Sequence, residues 1–201
     1  MRVLTVGHST HSLDGFVALL QEHHISAIAD VRSNPFSRYT PQFNMSSLRT
    51  ALRRHEIQYA FLGRELGARS SDPNCYVDGR VQYARLAETD LFRDGIRRIL
   101  SGAAARRIAL MCAEKDPLDC HRALLVTKEL VSQGVQVDHV LADGTAESHY
   151  AAMLRLLDKL DMQRTSLLRS TEELIADALA RQAERIAYVD PKLAALSNRS
   201  A

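Results

Sequence analysis

The apolar positions along this chain switch period again and again, from the short runs of strands to the three-and-four spacing of helices. "RVLTV" (2–6) is a short apolar run closed by Gly7, and in "SLDGFVALLQEHH" Phe16, Leu19, Leu20 and His23 recur at helical spacing behind Ser12, a good N-cap. "ISAIADV" repeats the strand signal. "SSLRTALRRHE" then turns Leu48, Ala51 and Leu52 inward and Arg49 and Arg53 outward, and "IQYAFLG" is a third strand. "RELGARSSDPNCYVDGR" is rich in Gly, Ser, Asp and Pro and predicts a long surface loop, a length typical of lids and binding loops. A helical pattern resumes from about Val81 to Leu100 on Leu86, Phe92, Ile96 and Ile99. After it come a strand, "RIALMC", a helix, "PLDCHRALLVTKELVSQG", closed by Gly134, and a strand, "VQVDHVLADG".

Strand and helix alternate throughout residues 1–150, which predicts an α/β domain: a three-layer, open, mostly parallel sheet with helices on both faces. Past Gly144 the texture is leucine- and alanine-rich with helical periodicity and no strand. Residues 151–201 therefore read as a helical C-terminal extension, packed on the sheet or against a second copy as a homodimer, with "SNRSA" frayed at its end.

Composition narrows the class. The 201 residues suffice for one substantial core, and no apolar run approaches the roughly 20 residues that span a bilayer, so neither a membrane partner nor a signal peptide is expected. Three cysteines without a close pair point to reduced thiols and a cytoplasmic protein. A net charge of +2 does not announce nucleic-acid binding. Between Arg32 and Arg54, however, five arginines (Arg32, Arg38, Arg49, Arg53 and Arg54) occur without one acid.

In an open parallel sheet the ligand crevice lies beyond the carboxyl ends of the strands. The polar clusters of this chain fall there: "GHST", "DVRSNPFSR", "GRELG", "CAEKDPLDCHR" and "DG". In the fourth, Pro117 suits a first helical turn and Asp116 can cap it, so Cys120 and His121 fall within the first turn, where the helix dipole and Arg122 favour a thiolate or a bound anion. Cys112, eight residues earlier, can face the same space. One reading is nucleophilic catalysis, with Cys112 or Cys120 attacking while His8, His121 or Glu114 moves a proton. The plainer reading is that both cysteines are small hydrophobes. A phosphatase-type loop needs arginine six positions after the cysteine, and Leu118 stands there. A metal is a further reading, with the cysteines ligating iron or zinc, although adjacent Cys120 and His121 make joint ligation awkward.

In the second cluster Arg32 and Arg38 flank Pro35 and suit phosphate or carboxylate, while Asp30 can hold Arg32 or act as a base. Phe36, Tyr39 and Phe43 interleave with this basic stretch and can stack on bases or pack the loop. Gly7 before His8 allows close backbone approach to a ligand. His11, His23, His24 and His55 read as surface residues, Cys75 as incidental in a mobile loop, and Asp143 as a ligand contact or a turn residue with Gly144.

The ordered set "TVGHST", "IADVRSNPFSR", "FNMSSLRTAL", "IQYAFLGRELG", "ALMCAEKDPLDCHR" and "VDHVLADG", over about residues 1–150, resembles the family known as domain of unknown function 488. The resemblance implies a compact α/β domain and marks Gly7, His8, Ser9, Asp30, Arg32, Pro35, Ser37, Arg38, Cys112, Glu114, Cys120, His121 and Arg122. It supplies no settled activity, and it leaves the cofactor unknown. The combined expectation is a hydrolase or transferase acting on a phosphate-bearing small molecule or nucleic acid. Cys112, Cys120, His8, Glu114 and His121 would do the chemistry, and Ser9, Asp30, Arg32, Ser37, Arg38 and Arg122 would hold the substrate. The alternatives are an iron or zinc enzyme and a non-catalytic nucleic-acid-binding or regulatory module.

Overall fold

The computed structural model describes residues 1–197; the rest of the end expected to fray lies outside the described residues. In chain order the elements are β1 (Arg2–Gly7), α1 (Leu13–Glu22), β2 (Ala27–Asp30), α2 (Met45–Arg54), β3 (Gln58–Phe61), α3 (Gly63–Leu66), β4 (Tyr76–Val77) and β5 (Arg80–Val81). They continue with α4 (Tyr83–Ala87), α5 (Asp90–Ala103), β6 (Ile108–Cys112), a widened π-helical segment (Arg122–Thr127) running into α6 (Lys128–Ser132), and β7 (Gln136–Val140). β8 (Ala146–Ser148), α7 (His149–Lys159), α8 (Thr171–Ile186) and α9 (Pro191–Ser197) complete the fold.

The main sheet has the order β3-β2-β6-β1-β7-β8 and is parallel but for β8, which pairs antiparallel with β7. Period-two alternation divides the strand residues between two cores. Leu4, Val6, Ile28, Ala109 and Met111 face α1 and α2 through Phe16, Leu20, Leu48 and Leu52. Val3, Ala27, Ala29, Leu110 and Cys112 face the opposite layer through Phe92, Ile96, Ile99, Leu125 and Leu130. This is the three-layer α/β architecture predicted from the alternation. Ser12 caps α1 by accepting from the Gly15 amide at 3.1 Å, and Gly134 ends α6 at φ +78°, as read from the sequence.

Four details differ from the sequence reading. β8 lies beyond Gly144, where no strand was expected; at three residues it is too short for periodicity to register. The helical stretch from Val81 breaks at Thr89, whose hydroxyl accepts from the Phe92 amide and starts α5 afresh. The expected long loop contains α3 and the β4–β5 hairpin, turned by Asp78 and Gly79, both at positive φ. Cys75 is accordingly a core residue, 1% exposed, rather than incidental.

The C-terminal helices pack on their own chain. Leu156, Leu157, Leu174 and Ala178 form a third core with Leu118 and Leu124, which flank the start of the π-helical segment. Gln182 in α8 donates to the Leu118 carbonyl and to Asp119, each at 3.0 Å. Among the described residues no helix is long and apolar enough to cross a membrane.

Candidate active site

Adjacent strands β2, β6 and β1 end together: Gly7 lies opposite Cys112, and Asp30 opposite Met111. A Cβ on Gly7 would stand 1.9 Å from the Glu114 carbonyl oxygen. The close approach that this glycine permits is therefore made by the segment after β6, rather than by a ligand. That segment is tied down by the His8 amide donating to the Cys112 carbonyl and the Ser9 amide to Ala113, both at 2.9 Å.

Asp116 does cap, but the helix it caps is a short 3-10 turn, Pro117–Asp119, through the Leu118 amide. Cys120 follows in extended conformation (φ −138°, ψ 138°), and the long helix begins at His121. The first-turn placement thus holds for His121, whereas Cys120 sits one residue outside, with Sγ accepting from the Arg122 amide at 3.4 Å. The bend between extended Cys120 and helical His121 removes the obstacle raised by their adjacency. Sγ of Cys112, Sγ of Cys120 and a ring nitrogen of His121 all lie within 4.8 Å of one another. His121 Nδ1 is 3.9 Å from Cys112 Sγ and 3.8 Å from Cys120 Sγ, and Nε2 donates to the Val31 carbonyl at 2.9 Å. Glu114 Oε2 lies 3.0 Å from Cys120 Sγ.

These groups set one another's protonation. Burial works against a charged Cys120, yet the Cys112 thiol, Arg122 and His121 together draw its pKa well below the usual thiol value. Cys112 is pushed well up, by its hydrogen bond to Cys120 and then by burial. Burial opposes a charged His121, but Cys120 and Glu114 outweigh it and raise the ring. Glu114 is raised by burial and by the Cys120 charge. Arg122, fully buried, sits beneath the cluster and donates to the carbonyls of Glu114 (2.8 Å) and Lys115 (3.3 Å). It fixes that segment and supplies positive potential, but it presents no donors to a substrate.

Arg32 is similarly engaged. Its Nε and Nη2 grip Asp30 at 2.9 and 2.7 Å, Nη2 also donates to the Phe43 carbonyl, and Tyr59 hydroxyl completes the carboxylate at 2.7 Å. Asp30 is wholly buried, so it holds Arg32 in place, and the bidentate edge assigned to a substrate anion faces this carboxylate. The remaining Nη1 donates to His8 Nε2 at 3.2 Å. Burial and this guanidinium lower His8 to about 4, leaving a neutral ring stacked on Phe43 at 4.3 Å. Phe43 is thus core, whereas Phe36 and Tyr39 are exposed.

A crevice of about 290 Å³ opens over the cluster, lined by Cys112, Glu114, His121 and Arg32. The structure therefore brings together Cys112, Cys120, Glu114, His121, Arg32 and, behind it, His8. Ser9, Ser37 and Arg38 are not among the lining residues. Ser37 Oγ accepts from the Tyr39 and Thr40 amides, and exposed Arg38 rests on Tyr39. Asp143 makes a turn, accepting from the Thr145 amide and hydroxyl. Of the remaining lining, sequence reasoning missed the polar and large members Ser33, Asn34, Arg69, Tyr83, Ile186 and Tyr188. Only the length of the loop carrying Arg69 signalled it; nothing in the pattern of residues 151–201 linked that segment to the site. A larger, mostly apolar groove of about 560 Å³ between β7, α7 and α8 carries Asp138 and Glu172 but has no cysteine among its described lining residues.

A family model described as Domain of unknown function DUF488 matches residues 12–128, which include β2, β6, the thiols, Glu114, His121 and Arg122. Neither the curated proteins nor the solved structures contain a match.

Proposed function

The chain belongs to the DUF488 family, and from that premise we propose that it is a hydrolase or transferase acting on a small anionic substrate in the crevice, with Cys112, Cys120 and His121 holding a zinc or iron ion. One observation carries the reading: three donor atoms of the softness those ions favour lie within 4.8 Å of one another, and two of their residues, Cys112 and His121, line an open crevice. A tetrahedral ion with metal–sulfur bonds of about 2.3 Å and metal–nitrogen bonds of about 2.0–2.1 Å separates sulfur from nitrogen by about 3.6 Å. The two observed separations, 3.9 and 3.8 Å, are within a few tenths of that. His121 Nε2 on the Val31 carbonyl is the outer hydrogen bond that fixes a ligating imidazole and aims its Nδ1 lone pair at the sulfurs.

Three protein donors leave a coordination position free, and an ion there supplies a Lewis acid for a carbonyl or phosphoryl oxygen. The chain's own groups do the rest. Glu114 lines the crevice with its carboxyl 3.0 Å from Cys120 Sγ, placed to take and return a proton beside the reacting group. Tyr83, raised by burial and by Cys120, stays protonated as a donor on the wall. Arg122 holds the backbone that carries Glu114. Three free cysteines and a thiol-rich centre fit a reducing cytoplasm.

Elemental analysis of the anaerobically purified full chain should find about one equivalent of zinc or iron, lost in Cys112→Ser, Cys120→Ser and His121→Gln. Cobalt substitution should give thiolate-to-metal charge-transfer absorption. Less than about a tenth of an equivalent in the wild type, with no cobalt bands, removes the metal. The second reading then stands, a thiolate enzyme, favoured by Cys120 Sγ at the helix start on the Arg122 amide. Its signature is rapid alkylation of one cysteine below neutral pH in metal-free protein.

A further inference from the structure

We propose that Arg69, laid across the ring of Tyr188, is the oxyanion-binding residue of the crevice, and that the C-terminal extension thereby completes the substrate site. The inference rests on the crevice being the reaction site and names the class of substrate it takes: a small molecule bearing a phosphate or carboxylate.

Each arginine named from the sequence as an anion holder is otherwise engaged or outside the lining: Arg32 on Asp30, Arg122 on backbone carbonyls, Arg38 on Tyr39. Arg69 lines the crevice, and among the described residues its guanidinium has no carboxylate partner and donates no hydrogen bond. Its Cζ stands 4.5 Å over the Tyr188 ring, and its amide donates to Ser33 Oγ at 3.1 Å. A guanidinium face on an aromatic ring is held by cation–π attraction while its in-plane N–H donors remain available, the arrangement that suits a forked contact to an oxyanion. Holding the side chain in advance also lowers the entropy lost on binding.

Tyr188 is itself fixed. Its carbonyl accepts from the Val81 amide at 2.9 Å, Val189 bridges to Arg80, and the Asp190 amide donates to Gly79 at 2.7 Å. The β4–β5 hairpin therefore clamps residues 188–190 beside the site, although they lie outside the segment matched by the family model. With about 290 Å³ available, the crevice admits a small molecule rather than a buried stretch of polymer.

The experiment titrates the full chain with inorganic phosphate and, separately, with acetate, by calorimetry and by amide chemical shifts, before and after chelation of metal. Saturable binding of one probe is expected, with shifts at Ser33, Arg69 and Tyr188; the probe that binds more tightly decides between phosphate and carboxylate. Arg69→Gln should weaken it at least about tenfold, the loss of one charge-assisted contact. Arg69→Lys, which keeps the charge over the ring but loses the fork, should weaken it at unchanged melting temperature, so that a folding defect is separated from a binding one. Arg38→Gln should bind as wild type. Equal binding by wild type and Arg69→Gln, or no binding of either probe to wild type, overturns the proposal. Binding that persists in chelated protein and in Cys112→Ser keeps this subsite standing even if the metal reading fails.

Discussion

Thr5, His139 and His149 form a buried polar chain: the Thr5 hydroxyl and His139 Nδ1 are hydrogen-bonded at 2.8 Å, and His139 Nε2 and His149 Nδ1 at 3.0 Å. Burial lowers His149 to about 4, and His139 falls well below its ordinary value through burial and the neighbouring ring. Among the described residues no carboxylate bonds to either ring; nearby Asp138 pairs with Arg2, and Lys128 and Glu172 line the groove that His149 borders. Both histidines are neutral in the fold and protonated in the unfolded chain once the pH falls below about 6.5. Their contribution to stability is therefore complete above that pH and declines as the pH falls toward 4. For His149 alone the loss is about 3 kcal/mol. Denaturant melts across pH 4–7 should show this decline, and His149→Gln should reduce its slope by roughly one proton's worth. Neither histidine pair nor chain can be read from residues separated by 134 and 10 positions; the partnership exists because β1, β7 and α7 are packed together.

At the scale of elements, the junction of β1 with the segment after β6 governs the site. Gly7→Ala places a methyl against the Glu114 carbonyl, a contact no backbone can accept at 1.9 Å, so residues 113–115 must move. That movement displaces Glu114 and breaks its carbonyl from Arg122. We expect destabilisation of about 1–3 kcal/mol, as for overpacking elsewhere, together with loss of the zinc or iron proposed for the wild type, read by denaturation and elemental analysis. The sequence signalled that this glycine and this cluster matter, because turn chemistry and strand ends are local. It could not say that Cys120 would be extended and His121 helical. That choice follows from the 3-10 turn capped by Asp116 and from Leu118 being drawn into the third core, and it brings the donor atoms of two adjacent residues to within 4.8 Å of Cys112 Sγ and of each other.

At the scale of the molecule, the helical extension shares a core with the segments that follow β6, and we expect it to unfold together with the sheet. Leu156 is fully buried among Leu118, Leu124 and Leu174, so Leu156→Ala should cost about 2–5 kcal/mol. Far-ultraviolet circular dichroism and Tyr fluorescence should still report one coincident transition; separate midpoints would show the extension unfolding on its own. Periodicity, caps and turn residues by themselves determined the alternating elements, because each element depends on interactions within a few residues; the parallel sheet and the placing of Cys112, Glu114, Cys120 and His121 near its carboxyl edge then followed from the rules that govern such alternation. Tertiary structure decided which charges remain available. Arg32 meets Asp30 and Tyr59, Arg122 is sealed beneath the cluster, and Arg69 is left facing the crevice across a ring from the far end of the chain. Whether a guanidinium is neutralised depends on long-range packing, and no local pattern encodes which partner it meets.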